Sequence, residues 1–137
     1  MRLSNVLRLV FALFACAATA AVAAESSRPI RAGIIGLDTS HVIAFTQLIN
    51  APNASGDLAG VRIVAAFPGG SRDIPDSWNR VPKFTEEIQK YGVEIVPSIE
   101  TLLDKVDAVL LESLDGRPHL AQARLVIAAR TPLFLDK

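Results

Sequence analysis

The sequence predicts a single α/β domain in which a doubly wound parallel sheet of about five strands carries helices on both faces. Two observations predict it. Short apolar runs alternate with segments whose apolar residues have helical spacing, in the order β-α-β-α-β-α-β-α-β. The strand runs carry apolar residues on both faces, which is typical of strands covered by helices on each side. We expect ligands at the carboxyl ends of these strands, near the point where the strand order reverses.

The first half of the domain contains two predicted strands and one helix. Residues 31–36 (RAGIIG) form a buried strand, and residues 40–51 form a helix that Pro52 ends. Residues 61–67 (VRIVAAF) form the second strand, because the sequence PGG that follows interrupts it. Glycine, proline and polar residues predict irregular structure over two segments, 53–60 and 71–82.

The second half repeats the alternation with clearer boundary signals. Gly92 is typical of the residue just past a helix, Ser98 is a good N-cap, and Pro118 suits a first helical turn. The resulting elements are helices over 83–92, 98–105 and 118–129 and strands over 93–96, 107–113 and 132–137.

The amino terminus has the pattern of an export signal. Arg2 and Arg8 give a positive start, and an apolar run ending in alanines follows. We interpret 1–24 as a signal peptide, 25–29 as a linker and 30–137 as the domain, so the protein is expected to be exported to the periplasm or the medium. The alternative is a lipoprotein anchored at Cys16.

Charge and cysteine content exclude several classes of protein. Without residues 1–24 the chain keeps 12 basic and 14 acidic residues, a net charge of −2. This balance argues against nucleic-acid binding. The only cysteine is Cys16, inside the signal, so the domain cannot be a disulfide scaffold. After signal removal no membrane association is expected.

The loop after the first strand, GLDTSH, partly matches a dinucleotide fingerprint. Gly36 occupies the first glycine position, but Asp38 occupies the second and His41 the third. A carboxylate about 4 Å from a pyrophosphate costs roughly 4 kcal/mol at an effective dielectric constant of 20. Asp38 therefore either caps the next helix through the amides of Ser40 or His41, or acts directly on the ligand.

The ends of the second and fourth strands supply further candidates. Ser71 and Arg72 are placed to accept a 2′-phosphate, which would favour NADP; the alternative is a solvated loop arginine. Glu112, Asp115 and His119 follow the fourth strand, and His119 is either functional or a buried structural histidine. Together with Asp38 and His41 these side chains could hold a divalent ion, but no local ligand spacing supports it, so no metal ligands are assigned.

Three segments in succession resemble a known family. They are IRAGIIGLDTSHVIAFTQLI, VEIVPSIETLLDKVDAVLLES and GRPHLAQARLVIAARTPLFLDK. Together they resemble the Rossmann-like amino-terminal domain of the glucose–fructose oxidoreductase and inositol dehydrogenase family (Gfo/Idh/MocA). The resemblance extends over residues 30–137.

The resemblance implies an oxidoreductase that uses NAD or NADP on a small-molecule sugar or polyol. Lys137 matches the lysine of the family's Glu-Lys-Pro motif, with Asp136 in place of Glu, and His119 matches its histidine; Lys137 and His119 are therefore the catalytic candidates. The cofactor-binding candidates are Gly36, Leu37, Asp38, Ser40, His41, Ser71, Arg72, Glu112 and Ser113.

Family members have a second, larger domain that supplies most of the substrate site. Because the sequence stops inside the Glu-Lys-Pro-like motif, we expect a fragment that is inactive alone and that forms homo-oligomers only together with the missing domain. The alternative is a non-catalytic binding module that keeps the fold but has lost ordinary dinucleotide binding.

Overall fold

The computed structural model describes residues 28–136 and contains one five-stranded sheet. All strand pairs are parallel, and the strands lie in the order β3-β2-β1-β4-β5. This confirms the predicted doubly wound, Rossmann-like sheet, with its reversal of strand order between β1 and β4. The predicted signal peptide with Cys16, most of the linker, and Lys137 lie outside the described residues.

Ten elements and one short 3-10 segment make up the described chain. Strand bounds agree with the predicted runs to within two residues at either end. The elements are β1 (Ile30–Ile35), α1 (His41–Ile49), a 3-10 turn (Gly56–Gly60), β2 (Val61–Phe67), α2 (Pro75–Trp78), α3 (Val81–Gln89), β3 (Glu94–Ile95), α4 (Ile99–Leu103), β4 (Ala108–Leu111), α5 (His119–Ala128) and β5 (Leu133–Leu135).

The interpretation of residues 71–82 as irregular was wrong. This segment contains α2 and the start of α3, each with a proline in its first turn. Pro75 and Pro82 have no backbone N–H, and a helix makes no use of that group in its first turn. The prolines therefore begin helices here instead of interrupting them. The predicted loop 53–60 likewise contains the 3-10 turn.

Each face of the sheet packs against its own apolar cluster. Neighbouring residues of β1 point to opposite faces, so that Ile34 belongs to one cluster with Val42 and Ile88, and Ile35 to the other with Leu102. All are at most marginally accessible to solvent, and each such side chain stabilises the fold by roughly 1.5–3 kcal/mol. No helix among residues 28–136 is long and apolar enough to cross a membrane.

Helix α4 approaches the central strand closely because Gly33 has no side chain. A Cβ at this position would lie 2.9 Å from a Leu102 methyl carbon and 3.0 Å from a Val106 methyl carbon. Ser98 begins α4 as predicted, since its hydroxyl accepts a hydrogen bond from the Thr101 amide at 3.1 Å. Parallel pairing of Ile35 with Leu111 brings the carboxyl ends of β1 and β4 together at one edge of the sheet.

At the amino-terminal ends of β1 and β4, a carboxylate holds the two strands together. Asp107, just before β4, accepts hydrogen bonds from the Arg31 backbone amide at 2.9 Å and from its guanidinium at 2.8 and 3.1 Å. These bonds hold the pKa of the Asp107 carboxyl well below its usual range and raise the pKa of Arg31. The pair fixes the start of β4 against β1, far from the ligand edge.

Candidate functional site

A cleft of about 720 Å³ opens at the carboxyl ends of β1, β2 and β4. This is the edge at which the strand order reverses, where doubly wound sheets bind their ligands. Loops after the three strands form its walls. The lining residues are Asp38, Phe67, Pro68, Gly69, Gly70, Ser71, Arg72, Asp73, Trp78, Ser113, Asp115, Arg117, Pro118 and Gln122.

Gly36 is required at the turn that ends β1. Its φ of 91° is rarely adopted by other residues, and an added Cβ would lie 2.5–2.6 Å from atoms of Ser113. Gly69, also at positive φ, lies beside Gly36 with 3.4 Å between its virtual Cβ and the Gly36 Cα. The Gly36 amide donates to the carbonyl of Phe67, the last residue of β2, and the Leu37 amide donates to the carbonyl of Pro68 in the loop that follows. The turn is thus wedged between its two neighbouring loops.

Asp38 does not cap α1. Its side chain is fully buried, and its two oxygens accept hydrogen bonds from the Ser77 hydroxyl at 2.6 Å and the Leu114 amide at 3.0 Å. The predicted cap on Ser40 or His41 is therefore wrong, because the carboxylate turns sideways and joins α2 to the loop after β4. The negative charge lies in the wall of the cleft with both oxygens already in hydrogen bonds.

Polar contacts also cross the mouth of the cleft. The Ser71 hydroxyl donates to Asp115 at 2.5 Å, and the Arg117 guanidinium reaches both Asp115 and Asp73 at 2.8–3.0 Å. Hydrogen bonds from Arg117 hold the pKa values of both carboxyls below their usual range, and the two carboxylates raise the pKa of Arg117. The loop after β2 is therefore fastened to the loop after β4.

One wall offers a flat cationic surface. The Arg72 guanidinium carbon lies 4.4 Å from the centre of the Trp78 ring, a cation–π arrangement. Among all lining residues, three carboxylates face two guanidinium groups, a net charge of −1. In such a cleft each further negative charge on a ligand is less favourable.

His119, the first residue of α5, is hydrogen-bonded to the loop that precedes it. Its Nε2 donates to the Ser113 carbonyl at 2.7 Å, since a carbonyl oxygen only accepts. The Ser113 hydroxyl donates to Gln122 at 3.0 Å on the next turn of α5. These contacts give His119 a supporting role in the loop after β4, and its catalytic role stays a prediction.

A second group of polar side chains lies at the same edge of the sheet. One ring nitrogen of His41, one carboxylate oxygen of Glu112 and one of Asp136 lie within 4.8 Å of one another. We call these three residues the His41–Glu112–Asp136 cluster. His41 Nδ1 is in direct hydrogen-bonding contact with Asp136. Of the five residues that the sequence offered for a divalent ion, without an assignment, the cluster contains only His41 and Glu112.

The structure divides the predicted cofactor residues between these two groups. Asp38, Ser71, Arg72 and Ser113 line the cleft, and Gly36 and Leu37 form the buried turn behind it. His41 and Glu112 belong to the cluster, and Ser40 is exposed just before α1. Sequence reasoning missed Trp78, Asp73 and Arg117 in the cleft wall. The sequence feature that comes closest to identifying these three residues is their position after β2 or β4.

Solved structures similar to this chain include two dehydrogenases. They include UDP-N-acetylglucosamine 3-dehydrogenase GnnA from Acidithiobacillus ferrooxidans in two crystal forms, with TM-scores of 0.54 and 0.55, and the dehydrogenase MviM from Clostridium difficile, with a TM-score of 0.57. The chain shares the fold of these dehydrogenases. Both proteins are members of the Gfo/Idh/MocA family, the family that the sequence resembles.

The likeness is distant and partial. Sequence identity is 20% in each case, over 79% of this chain and 28%, 29% and 30% of the three solved chains. This chain thus spans less than a third of the length of the proteins it matches. No protein-family model and no curated protein matches the sequence.

Proposed function

We propose that this chain is the dinucleotide-binding domain of an exported oxidoreductase of the Gfo/Idh/MocA type, which acts on a sugar or polyol. The observation that carries the proposal is the cleft at the β1–β4 switch point, which lies in front of the buried turn that requires a glycine at position 36. The activity of GnnA on a nucleotide sugar, UDP-N-acetylglucosamine, supports a sugar-type substrate.

The residues of the cleft fit a dinucleotide, because hydrogen bonds within the protein engage the charge of Asp38. Both oxygens of this carboxylate are in hydrogen bonds to Ser77 and Leu114, so they are not directed as bare acceptors at the cleft. The guanidinium of Arg72, spread over Trp78, offers a flat cationic face for a nucleobase or a phosphate. Gly69 and Gly70 leave the rim beside it free of side chains. When bound, NAD supplies hydride transfer.

The cleft charge favours NAD over NADP. The lining residues already carry a net charge of −1. Asp73 and Asp115 also lie beside Ser71, whose hydroxyl is engaged with Asp115. A 2′-phosphate would meet these acids, whereas a ribose diol can donate hydrogen bonds to them. The prediction of a 2′-phosphate site at Ser71 therefore gives way to a preference for NAD.

A calorimetric titration tests the proposal. We expect the full chain to bind NAD at least tenfold more tightly than NADP, and Arg72→Ala to weaken NAD binding about tenfold, a change of 1.4 kcal/mol. The matched control is Arg124→Ala, an exposed arginine on α5 that does not line the cleft. Equal affinities of the wild type and Arg72→Ala would remove Arg72 from the binding site.

One observation favours the alternative of a binding module without ordinary dinucleotide binding. The Ser71–Asp115 bond and the Arg117 contacts hold the loops after β2 and β4 together, and a dinucleotide that passes between these loops would have to open this closure. Arg117→Gln would loosen this closure. If the wild type fails to bind NAD and Arg117→Gln binds it, the cleft is closed in the native protein and the alternative holds.

A further inference from the structure

The His41–Glu112–Asp136 cluster brings together side chains from three separate elements. His41 begins α1, Glu112 follows β4 directly, and Asp136 follows β5 directly. The Glu112 amide donates to the Ile35 carbonyl at 2.8 Å, and the Asp136 amide donates to the Leu111 carbonyl at 3.2 Å. The backbones of both acids are therefore fixed by the sheet, and the position of their carboxylates does not depend on a flexible loop.

The cluster combines an imidazole with two carboxylates at different depths. The Glu112 side chain is fully buried, while the side chains of Asp136 and His41 are 20% and 45% exposed. An ion approaching from solvent would thus meet His41 and Asp136 first and Glu112 at the bottom. Two carboxylates so close together, one of them buried, favour a nearby positive charge.

An aromatic shell orients the imidazole. The ring of Phe45, one turn further along α1, meets the His41 ring edge to face with 6.0 Å between centroids. Phe45 in turn packs against Phe134 of β5 at 6.4 Å. The shell connects the two elements that carry His41 and Asp136. Packing of this kind helps to hold a ligating side chain in place.

We propose that the His41–Glu112–Asp136 cluster binds one divalent transition-metal ion, with Zn²⁺ the best match. Imidazole nitrogen and carboxylate oxygen are both Zn²⁺ ligands, at about 2.0–2.2 Å from the ion. Tetrahedral ligands at those distances lie roughly 3.4 Å apart, so the present spacing, within 4.8 Å, closes by little more than 1 Å. Zn²⁺ takes the place of the hydrogen bond between His41 and Asp136.

Three protein ligands leave one tetrahedral position open. Zinc sites with three protein ligands commonly hold water or a substrate oxygen there. The site therefore takes a small oxygen ligand, such as water or a hydroxyl group, on its solvent side. The proposal is independent of dinucleotide binding, because no member of the cluster lines the cleft.

Thermal melts of the full chain, freed of metal with a chelator, test the proposal. At a Zn²⁺ concentration of about ten times Kd we expect the melting temperature to rise by roughly 5 °C or more. His41→Ala and Asp136→Asn each remove one ligand from a partly exposed position and are expected to weaken Zn²⁺ binding at least tenfold, measured by calorimetry. Glu112→Gln tests the buried ligand by the same measurement of Zn²⁺ binding.

The control is His119→Ala, which removes the other histidine of the chain. Its Nε2 bonds to the Ser113 carbonyl, so its loss lowers the starting melting temperature but leaves the Zn²⁺-induced rise intact. The proposal is overturned if the wild type shows no rise, or if His41→Ala and Asp136→Asn keep the wild-type rise. Loss of the rise in His119→Ala alone would assign zinc binding to a different site.

Discussion

Replacing Asp38 with alanine should destabilise the domain strongly, although its position suggests a ligand-binding role. The change leaves the buried Ser77 hydroxyl without its acceptor, and an unsatisfied buried donor costs about 1–3 kcal/mol. The half-buried Leu114 amide adds about 1 kcal/mol, because water partly replaces the lost bond. We expect the free energy of unfolding to fall by about 3 kcal/mol in total.

The matched control is Asp38→Asn. Its amide oxygen can still accept from Leu114, and its amide nitrogen can donate to the Ser77 oxygen, so the loss should be about 1 kcal/mol. Urea unfolding followed by circular dichroism measures both variants, with an unchanged dependence on denaturant as the check on two-state behaviour. In a double-mutant cycle, Asp38→Ala and Ser77→Ala should couple by at least about 1 kcal/mol. An Asp38→Ala variant within about 0.5 kcal/mol of the wild type would refute this reasoning.

Two further predictions concern the two ends of β1, where Gly36 forms the turn at the carboxyl end and Asp107 bonds to Arg31 near the amino end. Gly36→Ala should destabilise the domain by more than about 2 kcal/mol in the same assay, because the added Cβ would lie 2.5–2.6 Å from atoms of Ser113 and the backbone has a positive φ. The control is Gly60→Ala, which has open space around the added Cβ and should change stability by less than about 1 kcal/mol. Asp107→Asn should lower stability at neutral pH and reduce its loss in acid. The pKa of Asp107 is depressed in the folded state, so its stabilisation is complete above the unfolded pKa of about 3.9 and is lost progressively as the pH falls from there through the lower folded-state pKa. An unchanged acid-unfolding profile in Asp107→Asn would contradict the second prediction.

The sheet was predictable because its signals are local. Apolar strand runs, Gly92 and Ser98 each mark a boundary through the backbone geometry that they favour, and the structure has these boundaries to within a few residues. The exception is instructive. Pro75 and Pro82 were interpreted as breaking structure, but a proline is compatible with a helix when it stands in the first turn. Sequence alone does not tell whether a proline interrupts a helix or stands in its first turn.

The partners within the site were less predictable because they depend on contacts between distant residues. Asp38 meets Ser77 and Leu114, which lie 39 and 76 positions away, and no local pattern distinguishes these partners from an amide of the next helix. Asp136 meets His41 across 95 positions for the same reason. The sequence located the polar residues at the correct edge of the sheet, but their division between the cleft and the cluster required the structure.

The most direct test of the account is to locate NAD on the protein by NMR. In a titration of the isotope-labelled full chain, we expect the largest amide shifts at the glycine turn and the cleft walls, at Gly36, Gly69, Arg72 and Ser113. The Arg31 and Asp107 amides, at the far edge of the sheet, serve as the internal reference and should not move. The absence of shifts at about 1 mM NAD, or shifts confined to residues outside the cleft, would contradict the claim that this cleft is a dinucleotide site.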